Sequence, residues 1–241
     1  MRHFWKTAIG AAFAMAVAGN AQAQVNVGPP GQAYDTVLDL SGSTVGTGYT
    51  QYGAGNTITF VATGTTSTVT FAFRNDPGYF AFDNASVMDI TNPTGNLLVN
   101  GDFEAAVASL GTTDAPGWRY WQDPSIAPTD TGAGVHTAAS FISGLSGLTG
   151  LGGTGQFWGD ASWNAYDAIS QSFATTAGDT YAISFWLNNN NIGGGGYTAL
   201  DTATTTMDVV VYAPDAIPEP AGVALLGAGL LGLGLVRRRW A

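Results

Sequence analysis

The feature that most constrains this chain is a two-residue alternation of apolar side chains, repeated between glycine, asparagine and threonine punctuation. Ile58 and Phe60 alternate with threonines, and Val69, Phe71 and Phe73 do the same after Gly64-Thr65-Thr66-Ser67, so the two runs read as a hairpin. Phe80 and Phe82 follow Asn75-Asp76-Pro77-Gly78 and run on into Val87. Tyr181, Ile183, Phe185 and Leu187 line one face of a strand after Gly178-Asp179, and Met207, Val209 and Val211 mark a last strand. Successive strand side chains point to opposite faces, so each run has one face for a core and one for water. Helical periodicity is scarce. With 34 glycines for turns, this spacing predicts an all-β fold, an antiparallel β-sandwich or jelly roll. No cysteine is present, so stability must come from core packing or a bound metal.

Two terminal segments break the pattern. Arg2 and Lys6 precede an apolar run from Thr7 to Gly19, and Ala21-Gln22-Ala23 gives a small-x-small cleavage pattern before Gln24. Residues 1–23 therefore read as a secretory signal peptide, a substrate of signal peptidase. At the other end, Ile217-Pro218-Glu219-Pro220 leads into an uncharged run from Ala221 to Val236 and then Arg237-Arg238-Arg239. As a helix this run spans roughly 24 Å, short of a ~30 Å hydrocarbon core. Snorkelling arginines and local thinning absorb that mismatch. The arginines favour the cytoplasmic side and place everything before Pro218 outside. The chain thus divides into a signal peptide (1–23), an exported β-sandwich (24–216) and a tail (217–241). The tail comprises a motif (217–220), a transmembrane helix (221–236) and a basic cytoplasmic end (237–241).

This three-part tail resembles the PEP-CTERM sorting signal of Gram-negative bacteria, on Pro218, Glu219 and Pro220, the glycine-rich apolar helix, and Arg237, Arg238 and Arg239. The resemblance implies handling by an exosortase, a membrane transpeptidase-like cysteine enzyme, with processing close to the Pro-Glu-Pro motif. It also implies a species that makes exopolysaccharide. On this reading the tail is a temporary membrane hold, and the mature protein goes to the cell surface or the extracellular matrix.

Segments of the exported part resemble the galactose-binding-like jelly rolls that include many carbohydrate-binding modules. Asn96-Leu97-Leu98-Val99-Asn100-Gly101-Asp102-Phe103-Glu104, followed by Pro116-Gly117-Trp118, resembles the family's opening strand. Tyr166 to Phe173 and Gly178 to Leu187 resemble its middle strands, and Arg74 to Val87 its closing strand. The order is changed, because the closing motif precedes the opening one and each occurs once. One jelly roll in circularly permuted order accounts for this, with a short link at Thr91 to Gly95 and new ends between Tyr212 and Tyr34. The rival is two truncated half-domains, each with a sheet face it cannot bury.

The exported part holds two basic residues, Arg74 and Arg119, against sixteen acidic ones. Such a surface repels nucleic acid and anionic lipid and tolerates divalent cations. Catalytic groups are few. His136 lies in a glycine-, alanine- and threonine-rich stretch and reads as a solvated loop residue, and no lysine follows Lys6. Gly144-Leu145-Ser146-Gly147-Leu148 breaks the nucleophile-elbow pattern at its last position. Asp102 and Glu104, two apart on a predicted strand, share a face. Three readings compete for them: solvated strand-end charges, a structural calcium site, or a catalytic pair. The family resemblance implies a calcium-binding region that maps to Glu104 and Asp83.

Sugar recognition calls for exposed aromatic rings beside hydrogen-bonding groups. Alternation puts Trp186 with Ser184 on the face opposite Phe185 and Leu187, making it the first candidate for a stacking platform. Trp118 and Trp121, with Tyr120, form a second aromatic group, and Trp158, Trp163 and Tyr166 a third. Packing under loops or between sheets is the competing role for these rings. The function expected is an exported, non-catalytic surface or matrix protein that binds glycan or exopolysaccharide. The alternatives are a purely structural biofilm component and a glycan-active hydrolase.

Overall fold

The computed structural model describes residues 35–40, 48–75, 79–124, 132–137, 150–162, 165–189 and 205–212. The signal peptide, the sorting motif Pro218-Glu219-Pro220 with the apolar run and arginines behind it, the 144–148 segment and Trp163 lie outside the described residues. Among the described residues, no helix is long and apolar enough to cross a membrane.

Among the described residues, the chain forms two antiparallel sheets. In order, the strands are β1 (Asp35–Asp39), β2 (Thr50–Tyr52), β3 (Thr59–Val61), β4 (Thr66–Asn75), β5 (Phe80–Asp89), β6 (Arg119–Gln122), β7 (Gly134–His136), β8 (Phe157–Asp160), β9 (Asp167–Ala174), β10 (Thr180–Asn189) and β11 (Thr205–Tyr212). Sheet A runs β1-β11-β4-β9-β6. Sheet B runs β2-β10-β5-β8-β7, with β3 paired to β10 beside β2. Each sheet takes strands from before Asn96 and from after it, so both halves of the sequence build the same pair of sheets. The first and last strands, β1 and β11, are hydrogen-bonded neighbours.

The predicted alternation sets the core. Val69, Phe71 and Phe73 of β4 and Ile169 and Phe173 of β9 face Phe80, Phe82 and Val87 of β5 and Ile183, Phe185 and Leu187 of β10, in one buried cluster. Rings interlock across the two sheets, with Phe71 and Phe82 centroids 4.7 Å apart and Phe71 and Phe185 5.5 Å apart. Burying each such ring contributes roughly 1.5–3 kcal/mol, so this aromatic layer is the main bond between the sheets.

Two sequence expectations are corrected. The runs at Ile58–Phe60 and Val69–Phe73 are not a hairpin: β3 pairs with β10 in sheet B, whereas β4 lies between β11 and β9 in sheet A. The turn between them therefore crosses from one sheet to the other. The segment 96–104 is not a strand either. It bridges to Met88 at Asn96 and then turns, with Asn100 and Phe103 in left-handed backbone conformations at φ of 54° each. Its own side chains hold the turn, since the Asn100 amide donates to Pro116 O (3.0 Å) and accepts from Ala105 N (2.9 Å). Asp102 and Glu104 consequently do not share a strand face.

Candidate functional site

The outer face of sheet B is where the chain gathers groups able to meet a ligand. On β10, Ile183, Phe185 and Leu187 are buried in the core, while Ser184 and Trp186 are half-buried on the other side. This matches the alternation read from the sequence. Cross-strand partners share a face, and those of Trp186 are Gln51 on β2 and Asp83 on β5; Ser184 faces Ser86. The register slips by one residue between Ser184 and Trp186, and the extra residue is taken up at Asn84, whose φ is 49°. This is a β-bulge, and it re-aims the strand beside Trp186.

Next to the bulge, the edge of β5 that β8 leaves uncovered is taken by the turn at 96–101. Leu97 N donates to Val87 O and Ala85 N to Gly101 O, both at 2.8 Å. The Asn96 side chain completes the seam, its carbonyl accepting from Val87 N and Leu98 N and its amide donating to Ala85 O. Gly101 is required here, since a Cβ would lie 2.1 Å from Ala85 O. A groove of about 330 Å³ lies along this seam, lined by Asn84, Ser86, Asn96, Asn100 and Asp102 with Leu98 below. Gln51, Trp186, Ser184, Ser86, Asn84 and the groove thus form one strip: a large ring followed by hydroxyls and amides.

Two carboxylates fasten a loop at this face. Asp83 is fully buried; its oxygens accept from Leu151 N (2.6 Å) and Asn84 N (2.7 Å). Burial pushes its pKa up to about 7; these two donors oppose that, and the charges of Glu104 and Asp102 add to it. Glu104, half-buried, accepts from Thr154 N (2.6 Å), Gly155 N (3.1 Å), Gln156 N (3.3 Å) and the Thr154 hydroxyl. Burial would raise its pKa, but those donors outweigh it and hold the group below its ordinary value. The glycines around Thr154 make the cradle possible, since a Cβ on Gly152 would lie 2.7 Å from Glu104 Oε1. The structure therefore brings Asp83 and Glu104 to one loop, with backbone N–H groups on their oxygens, and leaves Asp102 exposed on the turn. Among the described residues, no three histidine, cysteine, aspartate or glutamate side chains gather as metal ligands.

The other tryptophans divide differently from the sequence grouping. Trp118 and Trp158 are 6% and 0% exposed, so neither offers a face to a sugar. Trp118 stacks on Phe103 at 5.5 Å and donates its indole N–H to Asn100 O (2.9 Å). Trp158 packs against Phe103 and Tyr120 and donates to Asp160 Oδ2 (3.3 Å). Their platform assignment is corrected: both are core residues. Trp121 is half-buried beside Ala72, Tyr166 and Ala168 on sheet A, away from Trp186. His136, expected in a solvated loop, is buried in β7 with Nε2 against Gly132 O (3.3 Å), and burial pushes its pKa down.

The pair Asp160 and Asp167 was not found by sequence reasoning. Both are fully buried at the junction of β8 and β9. Two acidic residues flanking a short connection between strands were the available signal. No protein-family model, no characterised protein and no solved structure matches this chain.

Proposed function

We propose that this chain is an exported, non-catalytic glycan-binding module whose site is the outer face of sheet B around Trp186. The supporting observation is that Trp186 stands half-exposed next to a run of hydroxyl and amide groups leading into a polar groove. An indole offers an apolar plane to the C–H face of a pyranose, and the flanking Gln51, Ser86, Ser184 and Asn84 supply donors and acceptors for its hydroxyls. The bulge at Asn84 and the loop fastened by Asp83 and Glu104 fix this surface before a ligand arrives, which lowers the ordering cost of binding. The carboxylates on this face are engaged by backbone donors, which suits positioning rather than proton transfer.

The sandwich is further proposed to be a circularly permuted jelly roll of the galactose-binding-like kind. Neighbouring β1 and β11 support this, because adjacent ends are what such a rearrangement requires. Delivery is proposed to run through signal peptidase after Ala23 and an exosortase at Pro218-Glu219-Pro220. The apolar run and Arg237–Arg239 would hold the chain in the membrane until processing. Exopolysaccharide is then the natural ligand class. A glycan array probed with the full chain in mild detergent tests the reading: binding is expected, and Trp186→Ala should weaken it at least tenfold while leaving Tm within about 2 °C. Undiminished binding by Trp186→Ala would remove the platform, and silence across the array would favour a purely structural role.

A further inference from the structure

The groove beside Trp186 starts on β5, one interstrand spacing of ~5 Å from β10, and runs to the turn at 96–102. A sugar stacked on Trp186 therefore brings the next unit of its chain over the groove. What that unit meets is set by which lining groups the fold has already used. The Asn96 side chain is spent on Val87 N, Leu98 N and Ala85 O, and that of Asn100 on Pro116 O and Ala105 N. Asn84, Ser86 and Asp102 remain to face a ligand. Asp102 is exposed and accepts from Glu104 N at a long 3.4 Å, so its carboxylate keeps most of its accepting capacity.

The charge around the groove has one sign. Glu104 and Asp102 both lie near enough for their charges to act on Asp83, the cross-strand partner of Trp186. Among the described residues no cation offsets them. The basic residues between positions 24 and 216 are Arg74, Arg119 and His136. Arg74 is in β4 and Arg119 in β6, both strands of sheet A. Stacked sheets lie ~10 Å apart, about a Debye length at ~0.1 M salt, so those charges are largely screened from the outer face of sheet B. His136 is buried in β7, and burial pushes its pKa down, toward the neutral form.

An anionic sugar would enter this field with no partner for its charge. A neutral sugar would offer Asp102 hydroxyls alone. A protonated amine offers it N–H donors and an opposite charge together, and such charge-assisted hydrogen bonds are the stronger kind. We propose, on the reading of this face as the glycan site, that its ligand is a polysaccharide carrying free amino groups. Asp102 selects it by pairing with the amine of the sugar beside the one stacked on Trp186.

Titration calorimetry of the full chain in mild detergent, with the sugar amines kept protonated, tests this with three probes of equal length. They are a glucosamine oligosaccharide, its N-acetylated counterpart and an oligouronate. The glucosamine form should bind about fivefold more tightly than the N-acetyl form, the upper reach of one exposed ion pair, and the uronate more weakly than either. Raising salt from about 0.1 M to about 1 M should erase the difference, because the Debye length falls from ~10 to ~3 Å. Asp102→Asn should equalise the glucosamine and N-acetyl forms. It should leave Tm within about 2 °C, since an exposed asparagine keeps the shape and the contact to Glu104 N. Trp186→Ala should weaken both forms alike. Equal binding of the two forms by the unsubstituted chain, tightest binding of the uronate, or an amine preference that survives Asp102→Asn would overturn the proposal. If Trp186→Ala still weakens binding in those cases, the platform stands without it. Binding of neither form, or binding indifferent to Trp186→Ala, would overturn the platform reading and this proposal with it.

Discussion

Among the described residues, two pairs of carboxyls lie at or beside sheet B, and they meet their burial in different ways. On the outer face of sheet B, Asp83 and Glu104 are met by N–H groups of the 151–156 loop and of Asn84. Between the sheets, Asp160 and Asp167 meet each other, with Asp160 also accepting from Ser162 N and the Trp158 indole and Asp167 from the Tyr120 hydroxyl. The first pair is neutralised by the fold and in return fastens a loop beside Trp186. The second is buried more deeply, and burial holds its carboxyls toward the protonated, neutral form. The lesson is that a fold accommodates a buried carboxyl by donors on its oxygens, by a proton, or by both.

The largest effect that would sharpen this contrast is at the inner pair. Asp167→Ala should cost about 3 kcal/mol of stability, because it removes the carboxyl partner of Asp160 and frees the Tyr120 hydroxyl from its acceptor. Denaturant unfolding measures this, and a cost under about 1 kcal/mol would break the comparison. At the outer pair, Asp83→Asn turns an amide N–H toward a backbone N–H and should cost about 2 kcal/mol.

Acidity comes next. Asp83 and Asp160 both have folded-state values near 7, above the ordinary 3.8, because burial disfavours their charged forms. Between those values the folded protein holds protons that the unfolded chain has released. Their stabilisation is therefore complete below about pH 4 and is lost as pH rises through 7. Stability should rise on acidification from pH 8 to pH 5 by up to about 1.4 kcal/mol per pH unit for each proton retained. A flat profile would contradict the burial of these carboxyls. The smallest effect belongs to Glu104→Gln. Glu104 is only partly buried, so the expected cost is roughly 0.5–1 kcal/mol, seen mainly as faster amide exchange at Thr154, Gly155 and Gln156.

Much of the sandwich was legible because period-two alternation is a local property. It placed Phe71, Phe82, Ile183, Phe185 and Leu187 on core faces and Trp186 on the opposite one. Partner choice is not local, so the turn at Gly64 has the sequence of a hairpin although it crosses between sheets. The apolar run before Asp102 and Glu104 suggests a strand there; the left-handed residues Asn100 and Phe103, with the Asn100 side-chain bonds, turn the chain instead. Trp118, just before β6, and Trp158, in the four-residue β8, have too little flanking pattern to show which of their faces is covered. Asp160 and Asp167 meet only because their strands belong to different sheets, and nothing in the spacing of two acids specifies that crossing.

The pH dependence of denaturant unfolding of the full chain, in mild detergent, tests the contrast most directly. The unsubstituted protein should gain stability from pH 8 to pH 5, and Asp160→Asn combined with Asp167→Asn should lose more of that gain than Asp83→Asn combined with Glu104→Gln. A gain that disappears with the outer pair and survives without the inner pair would contradict the account.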